Sequence, residues 1–176
     1  MKARDFQFEL IDVLREVLPS CCEVKPEWSV AKDEEDGFRD LERYAPRLDI
    51  ATGPWNVTRA AASNVRKIHE AAEIEIIKRI SGAADPKLNR NPRCLLAIEI
   101  EFSGSSKHIL GGCTNASMMG AVGIVIGHHD NIDKIRRIEG YAAWLRQKEK
   151  SDPSLFGNVR VYETTEFIDL LHIRSK

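Results

Sequence analysis

The stretch that most constrains this chain is Cys94-Leu95-Leu96-Ala97-Ile98-Glu99-Ile100-Glu101-Phe102. Apolar residues run without a break to Ile98, and two glutamates then stand at alternate positions before Ser103-Gly104 ends the run. This is the pattern of a strand buried on both faces for most of its length. Side chains two apart on a strand share a face and lie roughly 6.7 Å apart along it. Glu99 and Glu101 therefore share one side, with Ala97 and Leu95 behind them, while Ile98, Ile100 and Phe102 fill the other. Two carboxylates closing an apolar strand are costly unless a cation meets them or the strand end emerges into water. A divalent metal is one such cation and a basic side chain is another.

The chain around that strand reads as one α/β domain. Its 176 residues suffice for a sizeable core, and 43% hydrophobic and 30% charged residues with a net charge of −1 describe an ordinary soluble protein. No window approaches a membrane span, so no membrane association is expected. Met1 to Asp5 is charged and leads into an amphipathic segment, unlike a signal peptide. Cys21, Cys22, Cys94 and Cys113 lack CxxC spacing, which points to free thiols and a cytoplasmic location. The charge balance neither advertises nor excludes nucleic acid, because a nuclease pairs a basic face with an acidic site.

In chain order, Phe6, Leu10, Val13, Leu14 and Val17 predict a helix over residues 3–18, stopped by Pro19, with Glu9 at the edge of its apolar stripe. A short strand is expected over 21–31, interrupted at Pro26, then an acidic turn Lys32-Asp33-Glu34-Glu35-Asp36-Gly37. A second strand spans Arg43 to Ile50, with Asp49 close to its end. One long helix is expected from Asn56 to Ile80, stopped by Ser81-Gly82, and a loop from Ala83 to Arg93. After the central strand, Gly104 to Gly112 reads as a loop or short return strand, and Thr114 to Ala121 as a helix of small residues. Val122 to Gly127 is a second buried strand. Strand, compact helix and strand make a parallel, right-handed crossover. A helix over 130–149, a strand over 159–162 and a helix over 165–173 complete a mixed sheet with flanking helices.

Hydrolysis of a phosphodiester needs charge stabilisation and an activated water. A hard cation, Mg²⁺ or Mn²⁺, supplies both and takes oxygen ligands. An aspartate on one strand and carboxylates at alternate positions on its neighbour are the ingredients of such a site. Pro46-Arg47-Leu48-Asp49 followed by Glu99-Ile100-Glu101 resembles the PD-(D/E)xK nuclease superfamily, the restriction-endonuclease-like fold, and the order of elements over residues 3–127 is similar to that family's core. The resemblance implies that Asp49 and Glu99 coordinate the metal with the carbonyl of Ile100, that Glu9 completes the site from the first helix, and that Glu101 stands where lysine is usual. Lys107 is then the basic residue that the next segment offers. Three departures accompany the resemblance: Glu101 itself, the 50 positions and long helix between Asp49 and Glu99, and a proline three residues before the aspartate. The implied activity is metal-dependent cleavage of DNA, with RNA as a further substrate and a homodimer as one arrangement. The alternatives are a catalytically inactive module on the same scaffold that binds nucleic acid or a protein, and a small-molecule enzyme using the cleft at the strand ends.

Other patterns carry less. His69-Glu70-Ala71-Ala72-Glu73 lacks the second histidine of a zinc-protease helix, and no glycine spacing matches a nucleotide-binding loop. Ser103, Ser105, Ser106 and Lys107 lack SxxK spacing. His128-His129, before Asp130, could contact a phosphate or simply precede a helix cap. Lys87, Arg90, Arg93, Lys134, Arg136 and Arg137 are the best basic groups for phosphate contact.

Overall fold

The computed structural model describes residues 1–30, 46–57, 61–82, 87–152 and 154–172. The acidic stretch 32–37 and the first residues expected in the second strand, 43–45, lie outside these. Among the described residues none of the helices is long and apolar enough to cross a membrane.

Helix α1 (Ala3–Val17) buries Phe6, Gln7, Leu10, Ile11 and Leu14 along one stripe. It stops at Leu18, which is extended (ψ 144°) because the ring of Pro19 disfavours helical backbone before it. Strand β1 (Val24–Ser29) contains Pro26, tolerated because β1 is the edge of the sheet. Strand β2 (Arg47–Thr52) pairs antiparallel with β1, Trp28 opposite Leu48.

The single helix expected over 56–80 is two. Helix α2 covers Ala61–Ala72 and α3 covers Glu75–Ser81, with extended Ile74 (ψ 135°) between them. Asn56 stays outside any helix. It is fully buried, its amide donates to the Arg93 carbonyl (2.9 Å), and its side chain donates to the Pro92 carbonyl (2.8 Å). The break at Ile74 also rotates the second segment, so Ile77 joins Ile68, Ala72 and Ile80 as a fully buried core residue and Ile76 packs partly buried against them.

Strand β3 (Cys94–Glu101) is buried at every position. Helix α4 (Ser106–Met119) follows, then β4 (Gly120–Gly127), also buried throughout. Helix α5 (Ile132–Gln147), β5 (Val159–Glu163) and α6 (Thr164–His172) end the described fold, and the Glu163 carboxylate accepts the Thr165 amide (2.8 Å) at the start of α6. The sheet runs β1-β2-β3-β4-β5; the β1–β2 and β2–β3 pairs are antiparallel, and β3–β4 and β4–β5 are parallel.

One face of the sheet, with Ile50, Leu96, Ile98, Val122 and Ile124, packs against Phe6 and Leu10 of α1, Ile68 of α2, Ile80 of α3 and Phe167 of α6. The other, with Ala51, Ala97, Val125 and Val159, packs against Ile109, Cys113 and Ala116 of α4 and Ile135 of α5. Burying both faces is what the unbroken apolar runs of β3 and β4 require. Helix α4 lies very close to the sheet: a Cβ at Gly123 would come within 2.8 Å of the Ala116 backbone.

Candidate functional site

Strands β2 and β3 pair through Thr52 with Leu96, Ala51 with Ala97 and Ile50 with Ile98. One residue beyond this ladder stands Asp49, whose carboxylate accepts the Ile100 main-chain N–H at 2.7 Å. Glu99 and Glu101 project from β3 on the same face as Ala97, toward α4. The side chain of Asn115 on α4 donates to Glu99 Oε1 (3.2 Å), and His108 Nε2 lies 3.6 Å from Glu101 Oε2. Between them on the helix, Gly112 leaves room for Glu101, because a Cβ there would sit 2.5 Å from Glu101 Oε1. His108, Gly112 and Asn115 are thus one stripe of α4 facing the acidic strand end.

The two glutamates are buried, with Glu99 only 6% and Glu101 5% exposed, and the Asp49 charge acts on both. Burial first, and then the Asp49 charge, push the Glu99 carboxyl up to about 8; Glu101 adds to the rise, while Asn115 and the Asp49 main-chain amide oppose it. Glu101 is raised by burial, against the pull of His108, with Asp49 adding to the rise. Asp49 too is raised by burial, opposed by the Ile100 amide, with Glu27 adding. Cys113 lies close by; burial and then the Glu101 and Glu99 charges push its thiol up to about 12, so it does not serve as a thiolate nucleophile.

Asp49, Glu99, Ile100 and Glu101 therefore lie at one end of the β2–β3 pair, with Asp49 bonded to the Ile100 amide. Glu9 and Lys107 do not join them. The outer side of α1 carries Glu9, exposed, whereas Gln7, about 200° away around the helix, is buried and donates to the Asp49 carbonyl (2.8 Å) and to Glu27 Oε1 (3.1 Å). Glu27 also pairs with Arg47 Nε at 3.0 Å. Lys107 is exposed, and its neighbour His108 is the basic side chain that faces Glu101. Gln7, His108, Gly112 and Asn115 are the residues that sequence reasoning missed. A helix beginning at Ser105-Ser106 places His108, Gly112 and Asn115 on one face, a pattern hidden where Gly104 to Gly112 is read as a loop or short return strand.

The basic loop Lys87, Arg90 and Arg93 lines a groove at the amino ends of the strands, with Asn89, Ser117 and Asn158. The length of β3, roughly 23 Å for its eight residues, separates this groove from Glu101. Nearer the acids, Lys134 Nζ donates to the Gly104 carbonyl (3.1 Å). His69 is a structural residue bonded to the Asn89 carbonyl (2.9 Å).

These features define an α/β protein with a five-stranded mixed sheet and a buried acidic cluster at the carboxyl end of its central strand. Comparison of the chain with family models, with curated proteins and with solved structures finds no match.

Proposed function

We propose that the protein is a metal-dependent nuclease acting on DNA, built on a restriction-endonuclease-like core. The observation that carries the reading is the placement of Asp49, Glu99 and Glu101 at one end of two paired strands, each carboxyl raised by burial. Such a cluster is relieved by a cation, and its all-oxygen donor set suits Mg²⁺ or Mn²⁺. The order α1-β1-β2-α2-α3-β3-α4-β4, with the aspartate on β2 and the glutamates on the neighbouring β3, also supports it.

Asp49 and Glu99 would hold the ion, with the Ile100 carbonyl as a further oxygen. When bound, the ion would offset phosphate charge and lower the pKa of a water. The protein groups around it have their own tasks. The Ile100 amide fixes one oxygen of Asp49, Asn115 orients Glu99, and Gly112 admits the Glu101 carboxylate, which accepts a proton from the attacking water. His108, at the exposed rim, is the basic side chain beside Glu101, where the motif usually carries lysine. Glu9 and Lys107 have no part in this reading.

The test is cleavage of duplex DNA, single-stranded DNA and RNA with Mg²⁺ or Mn²⁺ and with chelator. Asp49→Asn and Glu99→Gln should each abolish cleavage while melting cooperatively, and Glu9→Ala should cleave normally. Cleavage retained in Asp49→Asn would sink the proposal. The presence of Glu101 where lysine is usual favours a second reading, a catalytically inactive module that binds nucleic acid. Its signature is metal-dependent stabilisation and DNA binding without cleavage of any substrate.

A further inference from the structure

At the carboxyl end of β4 the chain turns through His128-His129-Asp130-Asn131 into α5. The amides of Asn131 and Ile132 close the turn on the His128 carbonyl (2.9 and 3.0 Å), and Asn131 Nδ2 ties it to the Glu101 carbonyl (2.5 Å). The His128 ring lies 5.4 Å from that of Phe102. On this anchored turn three side chains close on one another. His128 Nδ1 is 3.2 Å from Asp130 Oδ2, His129 Nε2 is 2.8 Å from Asp130 Oδ1, and His129 Nδ1 is 3.2 Å from His128 Nε2.

Each of these contacts needs one proton to be a hydrogen bond. Two neutral imidazoles carry one N–H apiece and a carboxylate carries none, so three contacts share two protons. Whichever tautomers are chosen, one contact sets two lone pairs face to face. A cation gripped by those lone pairs removes the conflict.

We propose that His128, His129 and Asp130 bind a divalent transition-metal ion of the zinc, nickel and copper kind, at a site separate from the acidic cluster. Two imidazole nitrogens and a carboxylate oxygen suit such ions, whereas the all-oxygen set of Asp49 and Glu99 suits Mg²⁺. One ligand atom from each of His128, His129 and Asp130 lies within 4.8 Å of those of the other two, so modest side-chain rotation brings them to the separation of about 3.3 Å between ligands of a tetrahedral ion bound at about 2.0–2.1 Å. With His129 and Asp130 side chains 69% and 73% exposed, water completes the coordination and the ion exchanges with solvent. The competing occupant is a third proton, on one imidazole, which predicts no metal uptake at this turn.

The site is tested by titrating Zn²⁺ into the full chain at neutral pH by calorimetry, with the visible spectrum of Co²⁺ as a second readout. The expected result is one ion per chain. His129→Ala and Asp130→Asn, both exposed positions with melting unchanged, should each weaken binding at least tenfold, and Asp49→Asn and Glu99→Gln should leave it unaltered. No Zn²⁺ uptake by the unaltered chain would overturn the proposal. So would undiminished uptake by His129→Ala and Asp130→Asn, or uptake lost on Cys21→Ser. The outcome does not depend on whether the protein cleaves DNA.

Discussion

Glu99 sits on a strand position where every neighbour works against its charge except Asn115 and one main-chain amide. Its carboxyl, ordinarily near 4.5, holds its proton to about 8 in the fold. Between those values the unfolded chain has lost the proton and the native one keeps it, so the native state binds more protons there. The stabilisation linked to Glu99 is thus fully present below about pH 4.5 and is lost as pH rises through 8. In chelator, Glu99→Gln should flatten this slope and stabilise the protein at pH 8.5 by on the order of 2 kcal/mol or more, with little gain at pH 4. Urea melts at the two pH values measure it, and equal effects at both would show that the proton is not held. At the rim, His108→Ala should lower single-turnover cleavage by about 100-fold if the histidine acts on the proton or the phosphate. Lys107→Ala should leave the rate unchanged, since that side chain is exposed and His108 is the basic group at Glu101.

Helix α4 carries a neighbouring pair of glycines with opposite roles. Gly111 has open space where a Cβ would go, so Gly111→Ala should stabilise the protein by about 0.5–1 kcal/mol through helix propensity alone. At Gly112 the same methyl would meet Glu101 at 2.5 Å, so Gly112→Ala should displace that carboxylate and reduce activity despite its better helix propensity. Thermal melts and cleavage assays of the two variants test this; equivalent behaviour would mean that the contact does not constrain Glu101. The helix expected only from Thr114 begins at Ser106. Adjacent glycines lower its intrinsic propensity, yet Ser105 caps it by accepting the His108 amide (3.3 Å), and packing on the sheet holds it together.

For the molecule as a whole, the sheet brings β2 and β3 side by side although 50 residues of sequence separate Asp49 from Glu99. Helices α2 and α3, which connect those strands, lie on the face opposite α4, where they complete the core without obstructing the acids. Binding of a cation to the native state alone should raise the melting temperature, so Mg²⁺ or Mn²⁺ should shift the unaltered chain upward and leave Asp49→Asn unmoved. A differential melt measures this, and an equal shift in both proteins would place the ion elsewhere.

Periodicity alone established the strong elements. The unbroken apolar run of β3, its two glutamates at alternate positions, the amphipathic stripe of α1 and the crossover to β4 are local properties of residue order. The partners of those glutamates are not local. Gln7 faces Asp49 in place of Glu9 because α1 is rotated by its packing on the sheet, and His108, Gly112 and Asn115 meet the acids because α4 is pressed onto β3. Alternation along a strand determines which carboxylates share a face; only the packing of distant segments decides what each carboxylate meets there.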